Sequence, residues 1–141
     1  MAMTFHVDVV SAEEEIFSGL VEMLFAPGEM GELGIMARHT PLLTSLKPGE
    51  LLLRMEGGEE QHIYVSGGML EVQPHVVTVL SDTAVRAKDL DEAAALEAKE
   101  RAEKTLKDRQ ADVDYALAEA ELAEAIAQLQ TIQRMKKAKR H

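Results

Sequence analysis

Five histidines are the side chains of this 141-residue chain best suited to metal or acid–base chemistry, namely His6, His39, His62, His75 and His141. No two of them have the i,i+4 spacing of a helical metal site, and no His-x-His occurs. The absence of cysteine excludes thiolate metal sites, disulfides and cysteine nucleophiles. The spacing therefore predicts no metal centre.

Serines and paired acids provide equally little for catalysis. None of the five serines lies in a Gly-x-Ser-x-Gly segment, and Ser66-Gly67-Gly68 is typical of a turn. The acidic runs 13–15 and 59–60 lie in polar surroundings, where they are expected to be solvated surface charge. We therefore predict no catalytic residue and no cofactor, and an enzyme is the weakest interpretation.

Glycines recur every third residue at Gly28, Gly31 and Gly34. The spacing is not Gly-x-Gly-x-x-Gly and no helix follows, so a phosphate loop is not expected. We interpret the segment as a structural loop with glycines at positive φ. The connection continues from Glu32 to Thr44. A long loop held by a rigid sheet is where a binding site is expected.

The C-terminal segment carries five bases within seven residues: Arg134, Lys136, Lys137, Lys139 and Arg140. One or two cations would complement the dipole at a helix C-terminus, each contributing about 0.3–1 kcal/mol. Five exceed that need. The segment therefore predicts an acidic protein partner.

Charge and composition divide the chain into two parts. Residues 1–85 hold 13 acids and 3 bases, whereas residues 86–141 hold 12 of each. All nine glycines and all four prolines precede residue 75, and twelve alanines lie between residues 93 and 127. These shifts predict two domains, 1–85 and 86–141, with the boundary between Thr83 and Asp89.

The formal charge of −10 argues against a nucleic-acid partner, since phosphate binding needs a basic surface. No apolar run approaches the roughly 20 residues that span a bilayer, and no secretory segment opens the chain. We therefore expect a soluble, cytoplasmic protein.

The first part has the pattern of short strands. Phe5, Val7 and Val9 alternate with other residues at a period of two, as in a half-buried strand. Residues 51–55 and 62–65 predict a hairpin around Gly57-Gly58, and residues 69–73 and 76–80 predict a second hairpin. Short strands separated by Gly and Pro favour a β-sandwich or barrel.

The second part has the pattern of two helices. A first helix over about 89–107, with Asp89 as N-cap and Glu92 at N3, would bury the stripe Ala95, Ala98, Ala102 and Leu106. Residues 109–112 predict the connector, with Asp112 as the next cap. The second helix carries a heptad seam of Tyr115, Ala118, Leu122, Ala125, Leu129 and Ile132. The predicted fold class is thus α+β, an N-terminal β-sandwich followed by an antiparallel two-helix hairpin.

The alanine-rich seams bury little area per residue, whereas Ala, Glu, Lys and Leu strongly favour helix. Strong helices with weak mutual packing persist when they separate. We therefore hypothesise that the hairpin opens and presents its seam to another surface.

Several motifs together resemble the epsilon subunit of bacterial F-type ATP synthase, nearly from end to end and in order. They are Asp8-Val9-Val10-Ser11, Ile16-Phe17-Ser18-Gly19, Gly31-Glu32-Leu33-Gly34-Ile35, His39-x-Pro41-Leu42-Leu43-Thr44, Lys47-Pro48-Gly49, Tyr64-Val65-Ser66-Gly67-Gly68, Leu70-Glu71-Val72-Gln73-Pro74, Val77-Thr78-Val79-Leu80 and Asp89-Leu90-Asp91-Glu92-Ala93.

The resemblance implies a non-catalytic subunit of the rotating central stalk, at the cytoplasmic face of the bacterial inner membrane and peripheral to it. Its implied partners are the gamma subunit, the ring of c subunits and, transiently, the alpha/beta catalytic head. Glu32 and His39 match the surface that faces the ring, and Leu42 and Leu43 are expected to face gamma. The hairpin permits turnover when folded on the sandwich and blocks ATP hydrolysis when extended, with the five C-terminal bases as its contacts to the head. A helix over 113–137 would span about 37 Å, which is enough reach.

One position departs from the family pattern. Members that bind ATP in the hairpin carry Ile/Leu-Asp-x-x-Arg-Ala, whereas Leu90 and Asp91 are followed here by Ala94 in place of the arginine. Loss of the guanidinium removes a charged donor, so weak or absent ATP binding is expected. The residue patterns also permit a free-standing regulatory or small-ligand-binding sandwich that dimerises through its hairpin.

Overall fold

The computed structural model describes residues 3–107 and 115–139, and the side chains of these residues except Lys139. The described residues form ten strands, a short 3₁₀ turn at Ala87–Asp89 and two helices. The strands are β1 (Phe5–Ser11), β2 (Glu15–Val21), β3 (Met23–Gly28), β4 (Gly31–Met36), β5 (Leu42–Leu46), β6 (Gly49–Arg54), β7 (Glu60–Val65), β8 (Gly68–Val72), β9 (Val76–Ser81) and β10 (Ala84–Arg86). The helices are α1 (Glu92–Lys107) and α2 (Tyr115–Lys139).

The strands form a β-sandwich from one sheet that folds back on itself. The strand order is β10-β7-β6-β3-β5-β8-β9-β1-β2, and β4 pairs with β3. A single residue pair, Gly28 with Leu46, joins β3 to β5. Since this narrow junction is where the sheet turns, one layer contains β10, β7, β6, β3 and β4, and the other contains the remaining five strands. The predicted α+β class, a sandwich followed by two helices, is confirmed.

The core lies between the two layers and consists of alternate residues of the strands. Val7 and Val9 of β1, Leu51 and Leu53 of β6 and Val79 of β9 are completely buried. Burial of a side chain of this size contributes about 1.5–3 kcal/mol. In β1 the period of two in the sequence therefore identified which face of the strand points inward.

Both predicted hairpins form with the expected turns. β6 pairs with β7 and β8 pairs with β9, both antiparallel. Gly57 and Gly58 have φ of 94° and 92°, as the first turn requires. Gly68 has φ of 133°, and a Cβ at this position would lie 2.0 Å from the carbonyl oxygen of Leu80. Only glycine fits there, so the turn after Ser66 depends on it.

Strand β4 corrects one prediction. Residues 31–36 were expected to form part of a structural loop, but they pair antiparallel with β3 from Met23 to Gly28. Only Gly31 among the three regularly spaced glycines has a positive φ. Gly34 lies in extended backbone opposite Phe25, so its lack of a side chain accommodates the aromatic ring.

The start of α1 corrects a second prediction. Asp89 was expected to cap the helix, but it ends the 3₁₀ turn, and Leu90 is extended. The cap is Asp91, whose Oδ1 accepts a hydrogen bond from the Ala94 amide at 3.0 Å. The helix therefore begins at Glu92, because the 3₁₀ turn already uses residues 87–89. The predicted connector 109–112, with its cap Asp112, lies outside the described residues.

Candidate functional site: where the hairpin meets the sandwich

Helix α2 lies against two neighbours at once. It packs on α1, and Ala118, Ala125 and Ile132 of its predicted seam are buried, although Tyr115 at the start of the seam is 39% exposed. A second stripe containing Ala127 and Thr131 is also buried, and α2 contacts β6, β7 and the 3₁₀ turn. In this closed hairpin, as we call the arrangement, α2 lies on the outer face of the β6–β7 layer.

Tyr64 of β7 is the largest side chain fully buried at this contact, with 1% of its surface exposed. Burial raises its pKa to about 12, a hydrogen bond from Gln128 of α2 opposes that shift, and the charge of Glu124 adds to it. Burial also raises the pKa of Glu124, and the neighbouring charge of Glu121 contributes. The face of α2 that covers the sandwich is thus partly polar.

Glu50 of β6 and His62 of β7 form a buried polar pair beside Tyr64. Their side chains are 4% and 9% exposed, and Glu50 Oε2 lies 3.3 Å from His62 Nδ1. The angles do not make a hydrogen bond, and neither atom has another hydrogen-bond partner among the described residues. The other carboxylate oxygen, Glu50 Oε1, lies 3.7 Å from Nη1 of Arg134 on α2. A buried carboxylate therefore faces a cation that belongs to the hairpin.

The five C-terminal bases predicted to contact a partner do not form one free patch. Arg134 faces Glu50, and Lys136 Nζ lies 2.6 Å from Glu92 Oε2 at the start of α1. Lys137 is exposed and has no ion pair within the described part of the chain. The side chain of Lys139 and all of Arg140 lie outside the described residues.

Glu32 and His39, predicted to face a c-ring, lie towards opposite ends of β4. Glu32 is the second residue of the strand, next to the exposed turn at Met30, and His39 follows the last residue, Met36. Residues 32 and 36 are separated by about 13 Å at about 3.3 Å per residue. His39 Nδ1 lies 2.7 Å from the backbone oxygen of Thr40. The two side chains do not form one cluster, but they flank the same edge strand.

Leu42 and Leu43, predicted to face gamma, point to opposite sides of β5. Leu42 packs against the core, whereas Leu43 is 65% exposed. Of this pair, Leu43 is the one available to a partner. Met69 and Leu80 on β8 and β9 are 37% and 48% exposed and are paired in register.

The two residues of the ATP-binding pattern have structural roles. The Asp91 carboxylate caps α1. Leu90, the extended residue before it, is half-buried. Ala94, where the family pattern has arginine, is exposed. The position is open to solvent, but its alanine side chain provides no positive charge.

A cleft with a volume of about 480 Å³ lies between the β1–β2 turn and residues 82–89. Its lining includes several acids, among them Glu13, Glu15, Asp82 and Asp89, together with Arg86. Within residues 3–107 and 115–139 no group of three or more His, Asp or Glu side chains is arranged to hold a metal ion. No helix in those ranges is long and apolar enough to cross a bilayer.

Glu50 and Gln128 were not singled out by the sequence analysis. Apart from the strand pattern, His62 was considered only as one of five histidines and Tyr64 only as part of a family motif. One signal was available: β7 buries Ile63, Tyr64 and Val65 in succession, so both faces of that strand are covered. Since neighbouring residues of a strand point to opposite faces, Tyr64 points away from the sandwich core. Another element therefore has to pack over it from outside the sandwich. No comparable signal marks Glu50, because a glutamate after a Pro-Gly pair is typical of an exposed turn.

Comparison with known proteins agrees with this architecture. Residues 4–87 match the family model of the ATP synthase delta/epsilon chain beta-sandwich domain, and residues 88–133 match that of its long alpha-helix domain. The chain belongs to the ATP synthase delta/epsilon family. The two matches meet one residue after β10 ends.

The relatives within this family are epsilon chains. The ATP synthase epsilon chain of Nitrosococcus oceani is 71% identical over 137 residues, which are 97% of this chain and 98% of the relative. ATP synthase epsilon chain 1 of Methylococcus capsulatus is 62% identical over 137 residues, with the same coverage. The resemblance drawn from the motifs is therefore confirmed, and the chain is a non-catalytic ATP synthase subunit.

Solved structures share the fold at low sequence identity. A chain in the cryo-EM structure of the Euglena gracilis mitochondrial ATP synthase, OSCP/F1/c-ring in rotational state 1, superposes with a TM-score of 0.80 at 24% identity. That match covers 88% of this chain and 78% of the other. A chain of the central stalk and c-ring of the Tetrahymena thermophila mitochondrial ATP synthase gives a TM-score of 0.56 at 14% identity, covering 94% and 96%.

Proposed function

We propose that this epsilon chain is a central-stalk subunit that couples rotation of the c-ring to ATP synthesis in the catalytic head and inhibits ATP hydrolysis through its hairpin. The observation that carries the proposal is the position of α2. Its basic end reaches the sandwich and the start of α1, where Arg134 and Lys136 face acids of the same chain. When the hairpin leaves the closed position, both cations lose these contacts within the chain and can pair with an acidic partner instead.

Gamma is the proposed partner of the sandwich layer that α2 does not cover. Leu43, Met69 and Leu80 form an exposed apolar group on the outer face of that layer. A polar cluster lies on the same layer, where the Asp8 carboxylate accepts a hydrogen bond from Ser18 Oγ at 2.7 Å. This bond lowers the pKa of Asp8 below its ordinary value. An apolar centre beside ordered polar groups is typical of a protein–protein interface.

The c-ring is the proposed partner of the edge at β4. Glu32 and Met30 are exposed at the tip of the β3–β4 hairpin, and His39 lies beyond the other end of β4. In the assembled enzyme this edge would face the membrane ring, so that the chain is peripheral at the cytoplasmic face of the bacterial inner membrane. No cofactor takes part in this role.

The catalytic head is the proposed transient partner of α2. The helix has 25 residues, which corresponds to about 37 Å at 1.5 Å per residue. This length allows the basic segment to reach well beyond the sandwich when α2 extends. An acidic surface at the base of the head would attract its cations.

The test is ATP hydrolysis by the assembled catalytic head with the full chain and with a chain that ends at Lys88. Both are expected to bind gamma, because the sandwich has its own core, and only the full chain is expected to slow hydrolysis. Neutralising the five C-terminal bases should leave assembly intact and relieve inhibition. If neither chain binds gamma nor alters the rate, the alternative gains support: a free-standing sandwich that dimerises through its hairpin at low micromolar concentration.

A further inference from the structure

The Glu50 carboxylate is enclosed when α2 lies on the sandwich. Its side chain is 4% exposed and has two neighbours that can carry a positive charge, the His62 imidazole at 3.3 Å and the Arg134 guanidinium at 3.7 Å. Of the two, only the guanidinium is charged at every physiological pH. A charge that is removed from water needs a compensating partner, and removing that partner costs far more than removing both together. The closed hairpin therefore depends on Arg134 for the compensation of Glu50.

Glu50 and His62 stay together whatever the hairpin does, because they lie on the paired strands β6 and β7. Arg134 is the member of the group that moves with α2. Its side chain is 57% exposed while it faces Glu50, so an external carboxylate can reach it without prior opening. A buried anion is thus neutralised by a cation that remains accessible from outside.

We propose that Arg134 is a removable counter-ion of Glu50 and that an acidic protein segment opens the hairpin by capturing it. Once Arg134 pairs with an external carboxylate, Glu50 is left enclosed with an uncompensated charge. Departure of α2 then returns the Glu50 carboxylate to water. The acidic segment therefore does more than bind an already open hairpin, since its capture of Arg134 weakens the closed state. Only the location of this segment, on the catalytic head, rests on the proposed function.

The proposal predicts that the two members of the pair respond differently to neutralisation. Arg134→Gln leaves the buried carboxylate without its counter-ion and should raise the ratio of open to closed hairpin by about tenfold or more. Glu50→Gln removes the burial cost together with the attraction, so its ratio should stay within about threefold of the original. The double variant should behave like Glu50→Gln. Lys137→Gln is the matched control, because it removes an exposed base of the same helix end that has no described ion pair.

The measurement is the distance between spin labels on the isolated full chain. The natural absence of cysteine allows specific labelling at Glu56→Cys in the β6–β7 turn and Gln133→Cys on α2, both exposed positions. Equal opening by Arg134→Gln and Glu50→Gln, or none by Arg134→Gln, would overturn the proposal.

A second arm adds a short poly-glutamate peptide as the acidic probe, with potassium chloride at matched ionic strength as control. The peptide should increase the open fraction of the original chain more than it increases the open fraction of the Glu50→Gln variant. Equal opening of the two chains, or no opening of the original chain, counts against capture as the cause. Because no catalytic head is present, this outcome is independent of whether the hairpin inhibits hydrolysis.

Discussion

Lys136 and Glu92 join the last turns of α2 to the first residue of α1, with Nζ 2.6 Å from Oε2. Since the helices are antiparallel, this ion pair bridges the end of the hairpin opposite its connector.

Despite the short distance, this ion pair is expected to contribute little to stability. Both side chains are about half exposed, at 53% and 52%, and exposed ion pairs contribute about 0–1 kcal/mol. A double-mutant cycle with Lys136→Gln and Glu92→Gln, followed by thermal unfolding, should give a coupling free energy below about 1 kcal/mol. High salt should reduce it further. A coupling of about 2 kcal/mol or more would show that the pair is desolvated.

Tyr64 predicts an alkaline opening of the hairpin. Its pKa is about 12 under α2 against an ordinary 10.0. Above pH 10 the closed state therefore holds a proton that an exposed Tyr64 would lose, so closing weakens as the pH rises towards 12. The free energy that favours the closed hairpin falls by up to about 1.4 kcal/mol per pH unit in that interval.

The measurement is the same spin-label distance across the alkaline range, with Tyr64→Phe as the matched variant. This variant keeps the buried ring and lacks the ionisable hydroxyl. Its open fraction should change less with pH than that of the original chain. The same pH profile in both chains would assign the opening to other groups.

The turn at Gly68 predicts a strong effect of one methyl group on the sandwich. Gly68→Ala would place a Cβ 2.0 Å from the Leu80 carbonyl oxygen at φ of 133°, and should cost about 3 kcal/mol or more in unfolding free energy. Gly57→Ala is the control, because it also has a positive φ of 94° but meets no atom within 4 Å. It should cost about 1 kcal/mol. Urea unfolding compares the two, and equal losses would show that the Leu80 backbone moves aside.

Ala94 predicts weak or absent ATP binding. The Asp91 carboxylate is engaged as the cap of α1, and position 94 supplies no cation for phosphate. Calorimetric titration of the full chain with magnesium ATP should show no micromolar binding. Ala94→Arg should strengthen binding relative to Ala94→Gln, because only arginine provides a charged bidentate donor. Micromolar binding by the original chain would contradict the prediction.

How much of this structure the sequence predicts depends on whether local patterns or tertiary contacts decide each element. The apolar runs on either side of the Gly57-Gly58 turn and the turn itself are local patterns, and they identified the β6–β7 hairpin. Strand β4 was missed because the regular spacing of Gly28, Gly31 and Gly34 resembles a loop, whereas pairing with β3 makes residues 31–36 a strand. Here tertiary pairing overrides local preference.

The polar contact beneath α2 could not be predicted in the same way. Alanines occur around much of α2, so its seam residues Ala118 and Ala125 do not exclude a second buried face with Ala127 and Thr131. Thr131 looks polar, but its hydroxyl is satisfied locally by the Ala127 carbonyl at 2.7 Å. Glu50 becomes buried only because a segment more than sixty residues later covers it.

Strand β10 pairs with β7, the strand that α2 also covers, and only five residues separate its end at Arg86 from Glu92 of α1. The hairpin is therefore tethered next to its own docking surface. Such a tether gives α2 an effective concentration at that surface on the order of millimolar, whatever the amount of protein. Dilution cannot open the hairpin, so its release has to be driven by a change in charge or by a partner that occupies α2.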